Sequence, residues 1–137
     1  MTKAAFSDQR SAFRKAVSPA KLVKSYRDLT VWQRSIELTV ALYRMTRAFP
    51  REEMFGLTSQ LRRASVSIAS NIAEGYGRNT KGEYRNFLGM ARGSALEVQT
   101  QLVIARELGF GTPSEIANAE RLADESGKML WAMMQKL

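Results

Sequence analysis

The sequence contains no cysteine and no histidine. Without cysteine there is neither a disulfide framework nor a thiolate zinc site. Without histidine the chain lacks the commonest general base, the commonest transition-metal ligand and the usual pH-sensitive side chain. Di-metal carboxylate sites in helical bundles use Glu-x-x-His motifs, so that kind of site is excluded too. These absences predict a protein that is not an enzyme and holds no metal or cofactor.

Long apolar runs are also missing. No stretch approaches the roughly 20 apolar residues that a membrane span needs, and the N-terminus lacks the apolar centre of a secretory signal. A cytoplasmic location follows by elimination. With 137 residues, 45% of them hydrophobic, the chain fits one domain whose core needs no metal or disulfide.

Charge is abundant and unevenly distributed. The net charge is +8, and residues 1–28 hold seven basic and two acidic side chains. Residues 29–92 hold ten basic and five acidic side chains, whereas residues 93–137 hold four and six. A basic N-terminal part and an acidic C-terminal part of the sequence favour a polyanionic partner or charge-complementary self-packing. The alternative is that the charge serves solubility alone.

Residues 1–28 are rich in Ser, Lys and Arg, and Pro19 interrupts them. This composition predicts a flexible basic N-terminal arm, with a short helix near residues 21–26, ahead of a bundle domain at 29–137. An organelle transit peptide, an extension from a misassigned start codon or from cloning, and a nucleic-acid-binding arm remain open alternatives.

Four helices are predicted from their end signals. Capping-box patterns begin at Thr30, Thr80 and Thr112, the last with Pro113 at the first helical position. The first helix is predicted to end near Ala48, and the second to run from Pro50 to Gly75. The third is predicted to end at Gly109 and Gly111, and the fourth to reach the C-terminus.

Each predicted helix carries an apolar stripe at alternating steps of three and four residues, which puts one seam on one face. Four such helices with short connectors predict an all-α, antiparallel up-down-up-down four-helix bundle. The stripes are Leu38, Leu42, Met45 and Phe49; Leu57, Leu61, Ala64, Ile68 and Ile72; Leu88, Ala91, Ala95, Val98, Leu102 and Ala105; and Ile116, Ala119, Ala123, Ser126, Leu130, Met133 and Leu137.

A second apolar set lies off these stripes and predicts self-association, unless it only widens the core. It comprises Trp32, Ile36, Val40, Tyr43, Met54, Phe55, Val66, Ala69, Ala73, Phe87, Ile104, Leu108, Trp131 and Met134.

Polar residues concentrate on the second helix and the turn after it. Asn71 falls on the seam, where a buried amide must find hydrogen-bond partners. We interpret part of this cluster as a network that fixes helix register, with Glu74 and Glu97 as candidates to pair with an arginine. The predicted network is Gln60, Ser67, Asn71, Glu74 and Glu97.

Six basic residues are the candidates to face phosphate groups if nucleic acid binds, with Tyr76 and Tyr84 as possible stacking platforms for bases. No recognised nucleic-acid motif accompanies them, and basic side chains on helices are usually solvated. The six are Arg62, Arg63, Arg78, Lys81, Arg85 and Arg92.

Gly89 and Gly93 lie four residues apart within the third helix, next to Ser94. Two glycines inside a helix cost roughly 1 kcal/mol each relative to alanine. Close approach of another helix at Gly89, Gly93 and Ser94 is the simplest compensation, and a ligand on the bare face is the alternative.

Several stretches occur in order along the chain, at residues 28–33, 49–53, 57–64, 67–75, 87–88, 91–94 and Glu97. The most specific are LTSQLRRA at 57–64 and SIASNIAEG at 67–75. Together these stretches resemble the bacterial four helix bundle protein family, whose founding members are encoded in intervening sequences of large-subunit ribosomal RNA genes. The resemblance covers about 28–135.

This resemblance implies a four-helix bundle that assembles into a homopentamer and has no enzyme activity. It also implies similarity to the accessory proteins of diversity-generating retroelements, which are basic pentameric bundles that bind nucleic acid and a reverse transcriptase. The function expected is therefore nucleic-acid binding, with RNA favoured, or alternatively a protein-interaction scaffold. The family's signature maps onto Gln60, Arg62, Arg63, Ser67, Asn71, Glu74, Gly75, Gly93, Ser94 and Glu97.

Overall fold

Four α-helices make up most of the structure, a computed structural model that describes residues 22–137. They are α1 (Thr30–Thr46), α2 (Leu57–Tyr76), α3 (Lys81–Glu107) and α4 (Pro113–Lys136), with short 3-10 turns at Tyr26–Asp28 and Arg51–Glu53. This part of the chain has no β-strand, and none of its helices has the length and apolarity to cross a bilayer. Residues 1–21, most of the predicted arm, lie outside the described residues.

The helices form a closed ring of neighbours, in which α2 packs on α1 and α3, and α4 packs on α3 and α1. Ser67 and Gln60 of α2 contact Ser94 and Gln101 of α3, so residue numbers fall on one helix as they rise on the other. The other three sides run the same way. Between α1 and α2, Thr46 bonds Arg62 while Trp32 shares a groove with Ala73. Between α3 and α4, Arg85 bonds Met134 and Arg106 pairs with Glu120. On the α1/α4 side, Arg34 lies beside Glu125, and Met45 lies beside Gly111 just before α4. The predicted antiparallel four-helix bundle is therefore confirmed for the single chain.

The core consists of the predicted stripes. Every residue of the first three stripes is buried, including Phe49 just after α1, and so are the stripe residues of α4 from Ile116 to Leu130. Met133 and Leu137 at the end of α4 are partly buried and pack against the core. The apolar residues that the 3–4 spacing of the sequence marks therefore form the core of the bundle.

The start of α1 differs from the prediction. Thr30 is the first helical residue and caps nothing, because the preceding Tyr26–Asp28 turn leads directly into the helix. The capping box lies earlier, where Ser25 Oγ accepts from the Arg27 N–H and Asp28 Oδ2 accepts from the Ser25 N–H. Gln33 instead donates from Nε2 to the Arg27 carbonyl. The predicted short helix near 21–26 is replaced by this turn, as far as the described residues reach.

The second helix also begins later than predicted. Pro50 leads into the Arg51–Glu53 turn, and Gly56 then leaves the helical region before α2 starts at Leu57. Glu53 Oε1 accepts from the Leu57 N–H at 3.0 Å and satisfies one of the donors at the new helix start. The connector between α1 and α2 is therefore a folded loop that presents Met54 and Phe55 to solvent.

The other predicted helix starts are present. Thr80 Oγ1 accepts from the Glu83 N–H. Thr112 and Glu115 form the complete reciprocal box, with Pro113 in the first turn. Gly109 and Gly111 both have φ near +77° (77° and 76°), a backbone conformation that favours glycine, and they turn the chain from α3 into α4.

Close helix packing occurs at a different glycine from those predicted. A Cβ atom at Gly93 would meet nothing within 4 Å, and one at Gly89 would meet only the Met134 methyl at 3.5 Å. At Gly75, by contrast, a Cβ would lie 2.7 Å from the Phe87 Cβ. Within the chain, Gly75 is the residue that lets α2 and α3 approach closely, and the interpretation of Gly89 and Gly93 as close-packing sites for the chain's own helices is wrong.

Candidate functional site on the α2/α3 face

Two small hydrogen-bond networks link α2 to α3. In the first, Ser67 and Ser94 share a hydroxyl–hydroxyl hydrogen bond of 2.9 Å, and Asn71 donates from Nδ2 to the Ser67 carbonyl and hydroxyl. In the second, Gln101 donates from Nε2 to Gln60 Oε1 at 3.4 Å and to Glu97 Oε2 at 3.3 Å. Four of the five residues predicted as a polar network therefore take part in contacts on one face.

The remaining network residue, Glu74, lies apart from these contacts. Its carboxylate faces Arg78 at 4.0 Å, and both side chains are exposed. The predicted pairing with an arginine thus holds for Glu74, although an exposed pair of this kind contributes little stability. Glu97 has Gln101 as its hydrogen-bond partner instead of an arginine. Asn71 is partly buried, so its amide is less enclosed than the seam position implied.

The same face carries an open groove of about 430 Å³. Its walls come from the connector before α2, the first half of α2 and the middle of α3, because the antiparallel packing sets these segments side by side. The lining side chains include both charges, three serine hydroxyls from the two facing helices and an aromatic ring. They are Phe55, Ser59, Gln60, Arg63, Ala64, Ser67, Ser94 and Glu97.

The six candidate phosphate-facing residues do not share one face. Arg62 lies on the α1/α2 side, where Nε donates to Thr46 Oγ1 at 2.9 Å, whereas Arg63 lines the α2/α3 groove. Arg85 and Arg92 line grooves between α3 and α4. Arg78 and Lys81 flank the turn between α2 and α3.

Three of these arginines lie over aromatic rings. The guanidinium carbons of Arg62, Arg78 and Arg92 are 4.5, 4.7 and 4.9 Å from the ring centroids of Tyr43, Phe87 and Trp131, respectively. Such cation–π contacts hold the guanidinium planes in fixed orientations on the surface. Arg62 is only partly exposed, so its role within the chain is to join α2 to α1.

Basic residues do gather at one end of the bundle, where α1 and α3 begin and α2 and α4 end. We call this the basic end and define it as residues 22–33, 74–85 and 133–137. It contains the acidic side chains Asp28, Glu74 and Glu83, and twice as many basic ones, namely Lys24, Arg27, Arg78, Lys81, Arg85 and Lys136. The opposite end, residues 43–60 and 104–118, holds four basic and four acidic side chains.

The predicted base-stacking tyrosines contact each other instead of presenting free faces. Tyr76 and Tyr84 meet edge to face with ring centroids 6.3 Å apart, beside Gly75. Burial of the Tyr84 ring raises the pKa of its hydroxyl, and the neighbouring Tyr76 raises it further. Both rings therefore belong to the packing of α2 on α3.

One residue of this face was missed from the sequence, and the exposure of another was not predicted. Gln101 is buried and holds Glu97 and Gln60, and its position seven residues after Ser94 and four after Glu97 was the available signal. Phe55 was counted among the off-seam apolar residues, but its 96% exposure was not predictable from the spacing. It follows from the late start of α2, which leaves residue 55 in the connector.

Comparison with known proteins identifies the family to which the chain belongs. The family model described as 23S rRNA-intervening sequence protein matches residues 27–132. A crystal structure of a protein of unknown function from the S23 ribosomal protein family of Bacteroides thetaiotaomicron is similar, with a TM-score of 0.69 and 21% sequence identity, and the match covers 77% of this chain and 98% of that one. No curated protein matches the chain. The resemblance noted in the sequence is thereby confirmed, and the chain belongs to the 23S rRNA-intervening sequence protein family.

Proposed function

We propose that this protein is a non-enzymatic, cytoplasmic homo-oligomer that binds nucleic acid, RNA in preference to DNA, through basic surface residues. The observation that carries the proposal is the basic end of the bundle. Its six basic side chains stand against three acidic ones, and residues 1–21, which join the bundle at this same end, add five basic and one acidic side chain. Such a concentration of charge attracts phosphate groups without reading sequence.

The binding would depend strongly on salt, since phosphate contacts release counterions. The test is fluorescence anisotropy with labelled fragments of ribosomal RNA at low and moderate salt. The double variant Lys24→Gln/Lys81→Gln removes two exposed charges from the basic end, and it should weaken binding and lower the slope of log affinity against log salt by about two. The matched control Arg44→Gln/Arg47→Gln removes two exposed charges at the end of α1, far from the basic end, and should leave both quantities near the original values. An absence of RNA binding at low salt would end the proposal.

Self-assembly is supported by apolar surface on two opposite sides of the bundle. Ile36 and Val66 line a groove between α1 and α2 and are exposed. On the other side, Met90, Leu96 and Trp131 line grooves between α3 and α4 and are also exposed. Two different faces on opposite sides favour a head-to-tail contact that closes into a ring, and the family resemblance implies five subunits.

Light scattering on the purified protein tests this assembly, and a homopentamer is the expected result. Val66→Glu disables the α1/α2 face and Trp131→Glu disables the α3/α4 face, so each variant alone should be monomeric. Mixed together, the two variants should form a heterodimer, because each retains the face that the other lacks. Self-dimerisation of either variant would show a symmetric contact and contradict the head-to-tail arrangement.

The exposed apolar faces also favour a second function, that of a protein-interaction scaffold or accessory subunit with no direct nucleic-acid contact. Affinity capture from lysate with and without nuclease separates the two functions. Recovery of the same protein partner after nuclease treatment, together with no binding of purified RNA, would favour the scaffold.

A further inference from the structure

We propose that the α2/α3 groove binds one unpaired nucleobase of single-stranded RNA, with the Phe55 ring as the stacking surface. This inference rests on the proposed function, because it specifies the form of RNA and the place where a base binds. The basic end attracts phosphates in any nucleic acid, whereas a base-binding groove requires a nucleotide that is free of a duplex.

The first observation is the exposure of Phe55. Its side chain is 96% exposed, although the residue lies in a folded connector and not in a free terminus. The connector is folded around this residue, because the Leu57 N–H donates to Glu53 Oε1 and the Gly56 N–H donates to the Glu53 carbonyl. An exposed aromatic ring that lines a groove provides a flat surface for stacking, and stacking tolerates any base because every base has a π-face.

The second observation is the polar lining of the same groove. Arg63 is exposed within the groove and bonds Ser59 through one guanidinium nitrogen at 3.2 Å, which leaves other N–H groups of its fork to meet a phosphate. Glu97 accepts one hydrogen bond from Gln101, and a carboxylate has further acceptor capacity. The exocyclic amino group of cytosine is a natural donor to such a carboxylate.

The groove fits a nucleotide better than a second copy of the chain. Its volume of about 430 Å³ lies in the range of small-ligand sites. Phe55 and Ala64 are its apolar lining residues, and its other six lining residues are polar or charged. Exposed apolar side chains lie on the α1/α2 and α3/α4 sides, and Ile104, seven residues after Glu97 on α3, is exposed as well. The polar and charged lining of the groove itself therefore favours a nucleotide over a second copy of the chain.

The test compares short single-stranded oligocytidine with an abasic oligomer of the same length, since both carry the same phosphates. Phe55→Ala should weaken binding of oligocytidine about tenfold and leave binding of the abasic oligomer unchanged. Met54→Ala is the matched control, because Met54 is the preceding residue and is 49% exposed. The Phe55→Ala variant should keep the melting temperature of the original protein, since the Phe55 ring has almost no contacts to lose.

A second variant tests the role of Glu97. Glu97→Ala removes the hydrogen-bond acceptor and also removes a negative charge. Loss of the charge should keep the affinity for RNA oligonucleotides equal or raise it. Loss of the acceptor should lower the preference for oligocytidine over oligouridine. A merely structural role of Glu97 would lower both affinities together. A base preference that is unchanged in this variant would overturn the assignment of Glu97.

The outcomes separate the two proposals. If the chain binds RNA with the expected salt dependence and Phe55→Ala binds oligocytidine as tightly as the original protein, only the groove assignment is wrong. If Phe55→Ala changes the mass in solution and leaves oligocytidine binding unchanged, the groove is a contact between copies. If no oligonucleotide binds at all, both the proposed function and the groove assignment fail.

Discussion

Replacing Gly75 with alanine tests the close approach of α2 to α3 at this glycine. The added Cβ would lie 2.7 Å from the Phe87 Cβ, 3.1 Å from Tyr84 Cδ1 and 3.4 Å from the Tyr84 carbonyl oxygen. The first of these contacts lies at the base of a side chain and cannot be relieved by a rotamer change. The α2/α3 packing must therefore open, which for an overpacked site costs about 1–3 kcal/mol.

Helix propensity acts in the opposite direction but is weaker at this position. Glycine to alanine gains up to about 1 kcal/mol inside a helix, but Gly75 is the last residue but one of α2, where the helix is already ending. The net change should be a loss of about 1–2 kcal/mol, which corresponds to a fall in melting temperature of roughly 3–10 °C for a chain of this size.

Gly93→Ala is the matched control, because the same methyl group is added to a helix interior and meets nothing within 4 Å. Propensity alone then acts, and the variant should gain up to about 1 kcal/mol in the free energy of unfolding. The assay is urea denaturation followed by circular dichroism, with all variants at one protein concentration because assembly raises apparent stability. Changes of the same sign in both variants would refute the reasoning from local space.

Two further predictions concern other parts of the fold. Thr112→Ala removes the hydroxyl that caps α4 and should cost about 1 kcal/mol in urea denaturation, whereas Thr112→Ser should retain most of the stability; equal losses would show that the hydroxyl is not what matters. Because burial raises the pKa of the Tyr84 hydroxyl, the unfolded chain loses that proton first, and stability should decline as pH rises through about 10 and above. Tyr84→Phe should decline less over the same range, and an identical alkaline profile would contradict the effect of burial.

The sequence was informative about the bundle because a single physical pattern specifies its core. The 3–4 spacing from Leu88 to Ala105 predicted α3 residue by residue, since each position either faces the seam or does not. The Thr112–Glu115 box was predicted for a similar reason, because the signal and the structure involve the same four residues. Features that depend only on neighbours along the chain can be predicted from the sequence in this way.

Helix starts that compete with a neighbouring turn were not predictable. Thr30 and Gln33 have the capping pattern, yet Ser25 and Asp28 have an equivalent one, and packing of Tyr26 on Trp32 accompanies the earlier turn. Pro50 suits a helix start, but the chain makes a 3-10 turn there and reaches Gly56 before it begins α2. In both places, two local signals of similar strength lie close together, and contacts between elements favour one of them.

The candidate site was predictable in its residue types and not in its geometry. The sequence brought Gln60, Ser67 and Asn71 together because they share one helix, but their partners Ser94 and Gln101 depend on the register of α3 against α2. The rotation of successive side chains around a helix explains why neighbouring arginines separate. Arg62 and Arg63 differ by about 100° around the helix, so Arg62 bonds Thr46 of α1 while Arg63 enters the α2/α3 groove. Adjacent charges in the sequence therefore carry different roles, and of this pair Arg63 is the residue placed to meet a ligand.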